Sequence, residues 1–132
     1  MAGTGKAITA VATTEVPAAI GPYSQAVRAG SLLFTSGLFG TRAGTGELAG
    51  PDILAQAEQA LVNLERLLAA AGTSMARVVK VTVYLVDLAE FPAVNALYAK
   101  HFAAPFPARS CVQVAALPKN ARIELDAIVA LE

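Results

Sequence analysis

Apolar residues change their period near the middle of this chain, and that change limits the folds open to it. From Asp52 to Ala71 they recur three and four apart, at Leu54, Ala57, Leu61, Leu64, Leu68 and Ala71. That spacing lines one face of a helix. Asp52 supplies a side-chain acceptor for the first turn, and Gly72 is a residue that commonly ends a helix. Just beyond, Val78–Val86 reads VVKVTVYLV. Here Val79, Val81, Val83 and Leu85 fall on one side, and Lys80, Thr82 and Tyr84 on the other. The helical stretch is shorter than three heptads and two of its contact residues are alanine, so a helix on a sheet is expected rather than a coiled coil.

The remaining elements fall around this pair. Lys6–Ala12 alternates weakly and suits an edge strand, and 31–36 (SLLFTS) reads as a strand. Between them, Pro17, Gly21 and Pro22 break EVPAAIGPYSQAV into irregular backbone. The glycine-rich GTRAGTGELAG carries loop or hairpin-tip chemistry. A second helix is expected from about Glu90 to Phe102, with Val94, Leu97, Tyr98 and Phe102 at helical spacing and Pro92 in its first turn. Strands over 108–116 and 121–131 follow, joined by the turn LPKN. The order ββ-α-β-α-ββ predicts an α+β fold, a mixed β-sheet with both helices on one face. No linker or repeat divides the 132 residues, so a single domain over 1–132 is expected.

Composition adds a second constraint. Hydrophobic residues make up 55% of the chain and charged residues 15%, against roughly 45–50% and about 25% in ordinary soluble domains. A lone protomer has too little polar surface, which points to a subunit interface. In the last strand Ile123, Leu125, Ala127, Val129 and Leu131 form a core face. The opposite face, Arg122, Glu124, Asp126, Ile128 and Ala130, is semi-polar, as suits a sheet pressed against other subunits.

Several classes of function are disfavoured. Ten basic residues balance ten acidic ones with no Lys/Arg run, so no nucleic-acid partner is expected. One cysteine and one histidine leave no disulfide, no metal site and little basis for a Ser–His triad. No stretch of about 18 apolar residues predicts a membrane span, and MAGTGKAITAV lacks the pattern of a signal peptide. A cytoplasmic protein is the expectation.

The residues able to do chemistry gather late in the chain. Arg109, Cys111 and Gln113 alternate and so share one side of an apolar strand that prolines bound. A guanidinium offers a rigid fork that matches a carboxylate. The anion is either a ligand or, as a structural ion pair, Glu124 or Asp126. Cys111 reads as a small packing residue, and His101 receives no role. Tyr23 lies in an irregular segment, where functional groups concentrate. Ser36-Gly37 ends a strand where backbone can approach closely. Asn95 sits within a helix, where Asn is not favoured.

The pieces PAAIGPYSQAV (17–27), TSG (35–37), AQAEQALVNLERLLAAAG (55–72), VVKVTVYLVDL (78–88), FPAVNALYAKHF (91–102) and FPARSCVQVAALPKNARIELDAI (106–128) stand in order over nearly the whole chain. Together they resemble the reactive intermediate deaminase family, the RidA/YjgF-like proteins. The resemblance implies a chorismate-mutase-like fold, a homotrimer with ligand sites in clefts between subunits, and no cofactor. It implies hydrolysis of 2-aminoacrylate and related enamines or imines, which leak from pyridoxal-phosphate-dependent dehydratases, to 2-oxo acids and ammonia. Arg109 matches the arginine that grips the substrate carboxylate, and Glu124 the acidic residue associated with the attacking water. Tyr23, Ser36, Gly37, Asn95 and Cys111 match other pocket positions, Gly37 and Cys111 through their backbone.

One departure bears on the substrate. After TSG, deaminase members usually continue with Gln and often a nearby Pro, whereas this chain reads Leu38-Phe39-Gly40. The apolar pair is expected beside the pocket, which favours a larger or more apolar 2-imino acid. Two other activities are weighed against the deaminase: a non-catalytic binding or holdase protein of the same fold, and a ribonuclease, which the absence of a basic stripe disfavours.

Overall fold

A computed structural model describes residues 7–132 of the chain; Lys6, placed by the sequence in the first strand, lies outside the described residues. The strands are β1 (Ile8–Val11), β2 (Ala26–Ala29), β3 (Leu32–Thr35), β4 (Leu38–Phe39), β5 (Val78–Leu85), β6 (Ala108–Gln113) and β7 (Ile123–Ala130). The helices are α1 (Ile53–Ala70) and α2 (Phe91–Tyr98). They form one sheet in the order β1-β2-β3-β7-β5-β6, with β4 paired to β7 beyond the end of β3. All pairings are antiparallel except β5–β6, whose connection carries α2. The sheet is therefore mixed, as expected.

The helix α1 forms for the reasons its sequence carries. Asp52 accepts from the Ala55 amide at 3.2 Å, and Ala71 and Gly72 close the C-terminal end. Arg28 donates to the Ala71 carbonyl at the helix end at 2.8 Å, placing a cation where the helix dipole is negative. Ala57, Leu61, Leu64, Leu68 and Ala71 are buried as expected, joined by Ile53, Ala60 and Leu67. Leu54 departs from the expectation and is 45% exposed. At about 100° per residue the buried arc centres on Ile53, Ala60 and Leu64, and Leu54 falls at its margin.

The sheet face under the helices is closed by Leu33, Val81, Val83, Leu85, Ile123, Leu125, Ala127 and Val129, all nearly inaccessible. The expected alternation in β5 holds from Val81 onward. It fails at Val79, because the register against β7 shifts between Val78 and Lys80. The bulge turns Val78 inward and leaves Val79 48% exposed.

Three further expectations change. Residues 26–29 form a strand, although the preceding Gly-Pro signals extend the irregular reading through Val27. Gly30 (φ 59°) and Ser31 make the two-residue turn between β2 and β3, a signal present in the sequence. The second helix ends at Tyr98 instead of Phe102, and the chain then turns through His101. His101 bridges the helices, its ring nitrogens 3.0 Å from Glu58 and 3.2 Å from Glu65. Finally, β6 is shorter than 108–116 and lies exposed at the sheet edge, although its apolar sequence suggests a buried strand. The LPKN turn does not make a hairpin, since β5 separates β6 from β7.

Candidate functional site

The sequence-derived candidates fall into two groups on opposite faces of the sheet. The first, Tyr23, Ser36, Gly37 and Glu124, lines a cavity of about 720 Å³ together with Phe39 and Lys119. Glu124 stands opposite Tyr84 on β5 and Phe39 on β4, on the face away from the helices. Burial raises the pKa of its carboxyl above the ordinary range, and the charge of Asp126 adds to the effect. Asp126 itself accepts from the Tyr84 hydroxyl at 3.0 Å.

Gly37 is adjacent for a steric reason. A Cβ built there would lie 2.7 Å from Cδ of Glu124, with Oε2 nearer still. Only glycine lets the strand end approach that carboxyl so closely. Gly37→Ala is expected to displace the Glu124 carboxyl and to lower by about tenfold to a hundredfold any turnover that depends on its position, on the order of the loss caused by a misplacement of an ångström. Steady-state kinetics, with an unfolding scan showing a retained fold, measures it.

The neighbouring loop is held by buried polar contacts. The Gln25 amide donates to the carbonyls of Thr13 and Pro17 at 3.0 and 2.8 Å, and its oxygen accepts from the Thr13 amide at 2.7 Å. Ser36 donates its hydroxyl to the Ser24 carbonyl at 2.6 Å, so that proton braces the loop carrying Tyr23. The hydroxyl of Tyr23 accepts from the Ile20 amide at 3.4 Å, and its ring is half exposed to the cavity. On the far wall, the Asn63 amide donates to the carbonyls of Phe39 and Thr41 at 3.0 and 2.8 Å, tying β4 to α1. Of the Leu38-Phe39 pair, only Phe39 reaches the main cavity. Leu38 packs into the core opposite Leu125 and is 8% exposed, contrary to the expectation that both flank the pocket.

The second group gathers where β6 meets α2. Arg109 is in register with Val81, and Cys111 with Val83, which sets both side chains on the helix side of the sheet. Arg109 donates to Oδ1 of Asn95 at 2.8 Å. Asn95 is exposed and partnered rather than turned to open solvent. Burial pushes the Cys111 thiol pKa up, with Arg109 acting in the opposite sense, so Cys111 lacks the thiolate character of a nucleophile. Gln113, on the same side, accepts from the Leu88 amide at 2.9 Å.

Neither Glu124 nor Asp126 pairs with Arg109; among the described residues the ion pair is Arg122 with Glu90, and His101 lies within hydrogen-bond distance of Glu58 and Glu65. The strand register forbids the alternative pairing, because the two carboxylates sit on the opposite face. The Arg109 guanidinium also lies over two rings of α2, its central carbon 5.1 Å from the Phe91 centroid and 4.7 Å from that of Tyr98; these two contacts, and Lys119 in the cavity lining, are absent from the sequence-based candidates. The spacing of Phe91, Asn95 and Tyr98 at i, i+4 and i+7 was the available signal for two of them.

Comparison with known proteins gives concordant similarities. Residues 13–131 match the family described as Endoribonuclease L-PSP. A protein of Escherichia coli (strain K12) named 2-iminobutanoate/2-iminopropanoate deaminase is 47% identical over 121 residues, which cover 89% of this chain and 94% of that one. The crystal structure of RidA from the Antarctic bacterium Psychrobacter sp. superimposes with a TM-score of 0.89 at 41% identity, covering 92% of this chain and 98% of that one. The crystal structure of E. coli TdcF with bound serine gives a TM-score of 0.86 at 40% identity, with 92% and 98% covered.

Proposed function

Because this chain belongs to the reactive intermediate deaminase family, the RidA/YjgF or Endoribonuclease L-PSP proteins, we propose that it is an enzyme hydrolysing 2-aminoacrylate and related 2-imino acids to 2-oxo acids and ammonia. The observation that carries the reading is Arg109 itself. It is an exposed guanidinium at a sheet edge, oriented by Asn95 and paired with no carboxylate among the described residues. A substrate carboxylate supplies the missing anion.

The chemistry follows from the two groups. Protonation of the enamine at carbon gives an imine whose C2 is electrophilic. Arg109 holds the carboxylate, which fixes where C2 lies. Glu124, as the carboxylate, takes a proton from water while the water oxygen bonds to C2. The resulting carbinolamine gains that proton at nitrogen, the C–N bond breaks, and C=O forms as ammonia leaves and the hydroxyl proton passes to Glu124, which then gives it up to ammonia or solvent. Tyr23 relays the proton to nitrogen. The raised pKa of Glu124 strengthens it as a base and lets its protonated form return the proton.

A 2-imino acid spans only a few bonds from carboxylate to C2, so it cannot bridge the two faces of one sheet. On this reading Arg109 and Glu124 act together only across two protomers, in an intersubunit cleft; that the assembly is a homotrimer is what the family resemblance implies. Further support comes from the face away from the helices. There Ile8, Leu32, Phe34 and Val112 are 44%, 36%, 38% and 42% exposed in the protomer, an apolar surface that association would cover. Ser36 and Gly37 line the cleft from the Glu124 side, and Asn95 and Cys111 from the Arg109 side.

The direct test couples the protein to a serine/threonine dehydratase and follows 2-oxo acid release. Release faster than with buffer is expected, and a rate equal to buffer overturns the reading. The apolar lining beside Phe39, with Pro17, Ala18 and Ile20, favours imines bearing larger apolar side chains in the same assay. A holdase reading rests on the exposed apolar face alone. It requires suppression of client aggregation that is indifferent to Arg109→Ala.

A further inference from the structure

We propose that Phe91 and Tyr98 are positioning residues, forming with Asn95 a cradle on one face of α2 that sets the orientation of the Arg109 guanidinium before substrate arrives. The proposal rests on the reading of Arg109 as the carboxylate anchor and extends it to residues that make no contact with the reaction centre.

Phe91, Asn95 and Tyr98 stand at i, i+4 and i+7 and so share one helix face. All three touch the same guanidinium. Its central carbon lies 5.1 Å from the Phe91 ring centroid and 4.7 Å from that of Tyr98, within the roughly 6 Å over which a ring face attracts a cation. Asn95 engages NH1 at 2.8 Å. These contacts divide the work. The rings engage the guanidinium carbon and make no claim on its N–H groups. Asn95 takes one of about five N–H donors, which leaves a pair for bidentate contact with a carboxylate.

The platform is rigid where the arginine is not. Tyr98 is 5% exposed, and its ring packs 4.5 Å from that of Phe102 in the core. Phe91 is partly buried against the same core. Arg109 itself is exposed on an edge strand. Without the cradle this long side chain would sample many rotamers, and binding would have to order it. The ring, not the hydroxyl, is the working part of Tyr98: its buried oxygen has no hydrogen-bond partner among the described residues.

The test reads binding separately from turnover, using pyruvate as the probe. In the wild-type protein pyruvate binding is expected to depend on Arg109. Phe91→Leu and Tyr98→Leu are each expected to raise the pyruvate dissociation constant and the imine KM roughly three- to tenfold, with kcat little changed. Tyr98→Phe keeps the ring and is expected to hold the wild-type dissociation constant. In an Arg109→Lys background, Phe91→Leu is expected to add little, since an ammonium lacks the planar fork the cradle orients. Tyr98→Leu carries a risk to folding, so the partly buried Phe91 decides the question if that variant unfolds. Arg109-dependent pyruvate binding that is unchanged in Phe91→Leu overturns the cradle and leaves the anchor standing. Wild-type protein that binds pyruvate no better than Arg109→Ala overturns both.

Discussion

Arg109→Ala is expected to lower kcat/KM for 2-imino acids by about a hundredfold to a thousandfold, the effect of removing one partner of a desolvated, hydrogen-bonded charge pair. The loss falls on catalysis and not on the fold. Arg109 is exposed, and its hydrogen bond to Asn95 lies at the surface, so the unfolding midpoint is expected to stay close to wild type. Steady-state kinetics beside a denaturant titration separates the two. A variant that keeps wild-type kcat/KM excludes Arg109 as the carboxylate anchor. Arg109→Lys restores charge without the bidentate fork and is expected to recover only part of the loss.

Glu124→Gln is expected to lower kcat by about 10²- to 10⁴-fold, the contribution of a positioned general base, while leaving substrate KM largely in place. Its effect on stability has the opposite sign. The folded-state pKa of Glu124 is raised by burial and then by Asp126. The ionised form is therefore disfavoured in the native protein, a cost absent below the unfolded pKa of about 4.3 and complete once pH exceeds the folded pKa. Glutamine removes that cost. The variant is thus expected to unfold at a higher temperature than wild type at neutral pH, and the difference should shrink on acidification. The same titration sets the acid limb of kcat/KM: activity falls as pH drops through the raised pKa, above the ordinary carboxylate range. Equal pH profiles and equal melting temperatures in the two proteins would remove Glu124 from both roles.

The two substitutions also test assembly, because the groups they remove lie on opposite faces of one protomer. Two inactive variants, Arg109→Ala and Glu124→Gln, are expected to regain activity when unfolded together and refolded as mixed trimers. If the proposed intersubunit cleft of a homotrimer holds, each mixed trimer contains one cleft with both groups intact, so random mixing restores roughly a quarter of the sites. Recovery no greater than the sum of the separate variants argues against a site shared between subunits.

Much of this architecture is legible in the chain. The helix α1, its Asp52 cap and the core face of β7 follow from contacts within a few residues, where 3.6- and 2-residue periods act directly. The irregular segment around Tyr23 and the loop after β4 follow from Gly and Pro. Less local features escape this reading. β2 has only four residues, AVRA, and gains its identity from pairing on both sides. The outward turn of Val79 comes from a bulge against β7, a partner about fifty residues away in sequence. The apolar composition of β6 suggests burial, yet its edge position leaves it exposed in the protomer.

What the sequence determined by itself was the main helices and the longer strands, and the types of residue that could do chemistry: an arginine at the head of one strand, a glutamate on the polar side of another, a glycine at a strand end. Each is a local property of side chain and period. Which of them can meet was decided only by the tertiary structure. β6 runs parallel to β5 while β7 runs antiparallel on its other side, and the two registers set Arg109 beside α2 and Glu124 on the far face. A shift of one residue in either strand would reverse that side, and no local pattern specifies it. The same long-range pairing that denies Arg109 a carboxylate partner among the described residues leaves part of its guanidinium open to an anion.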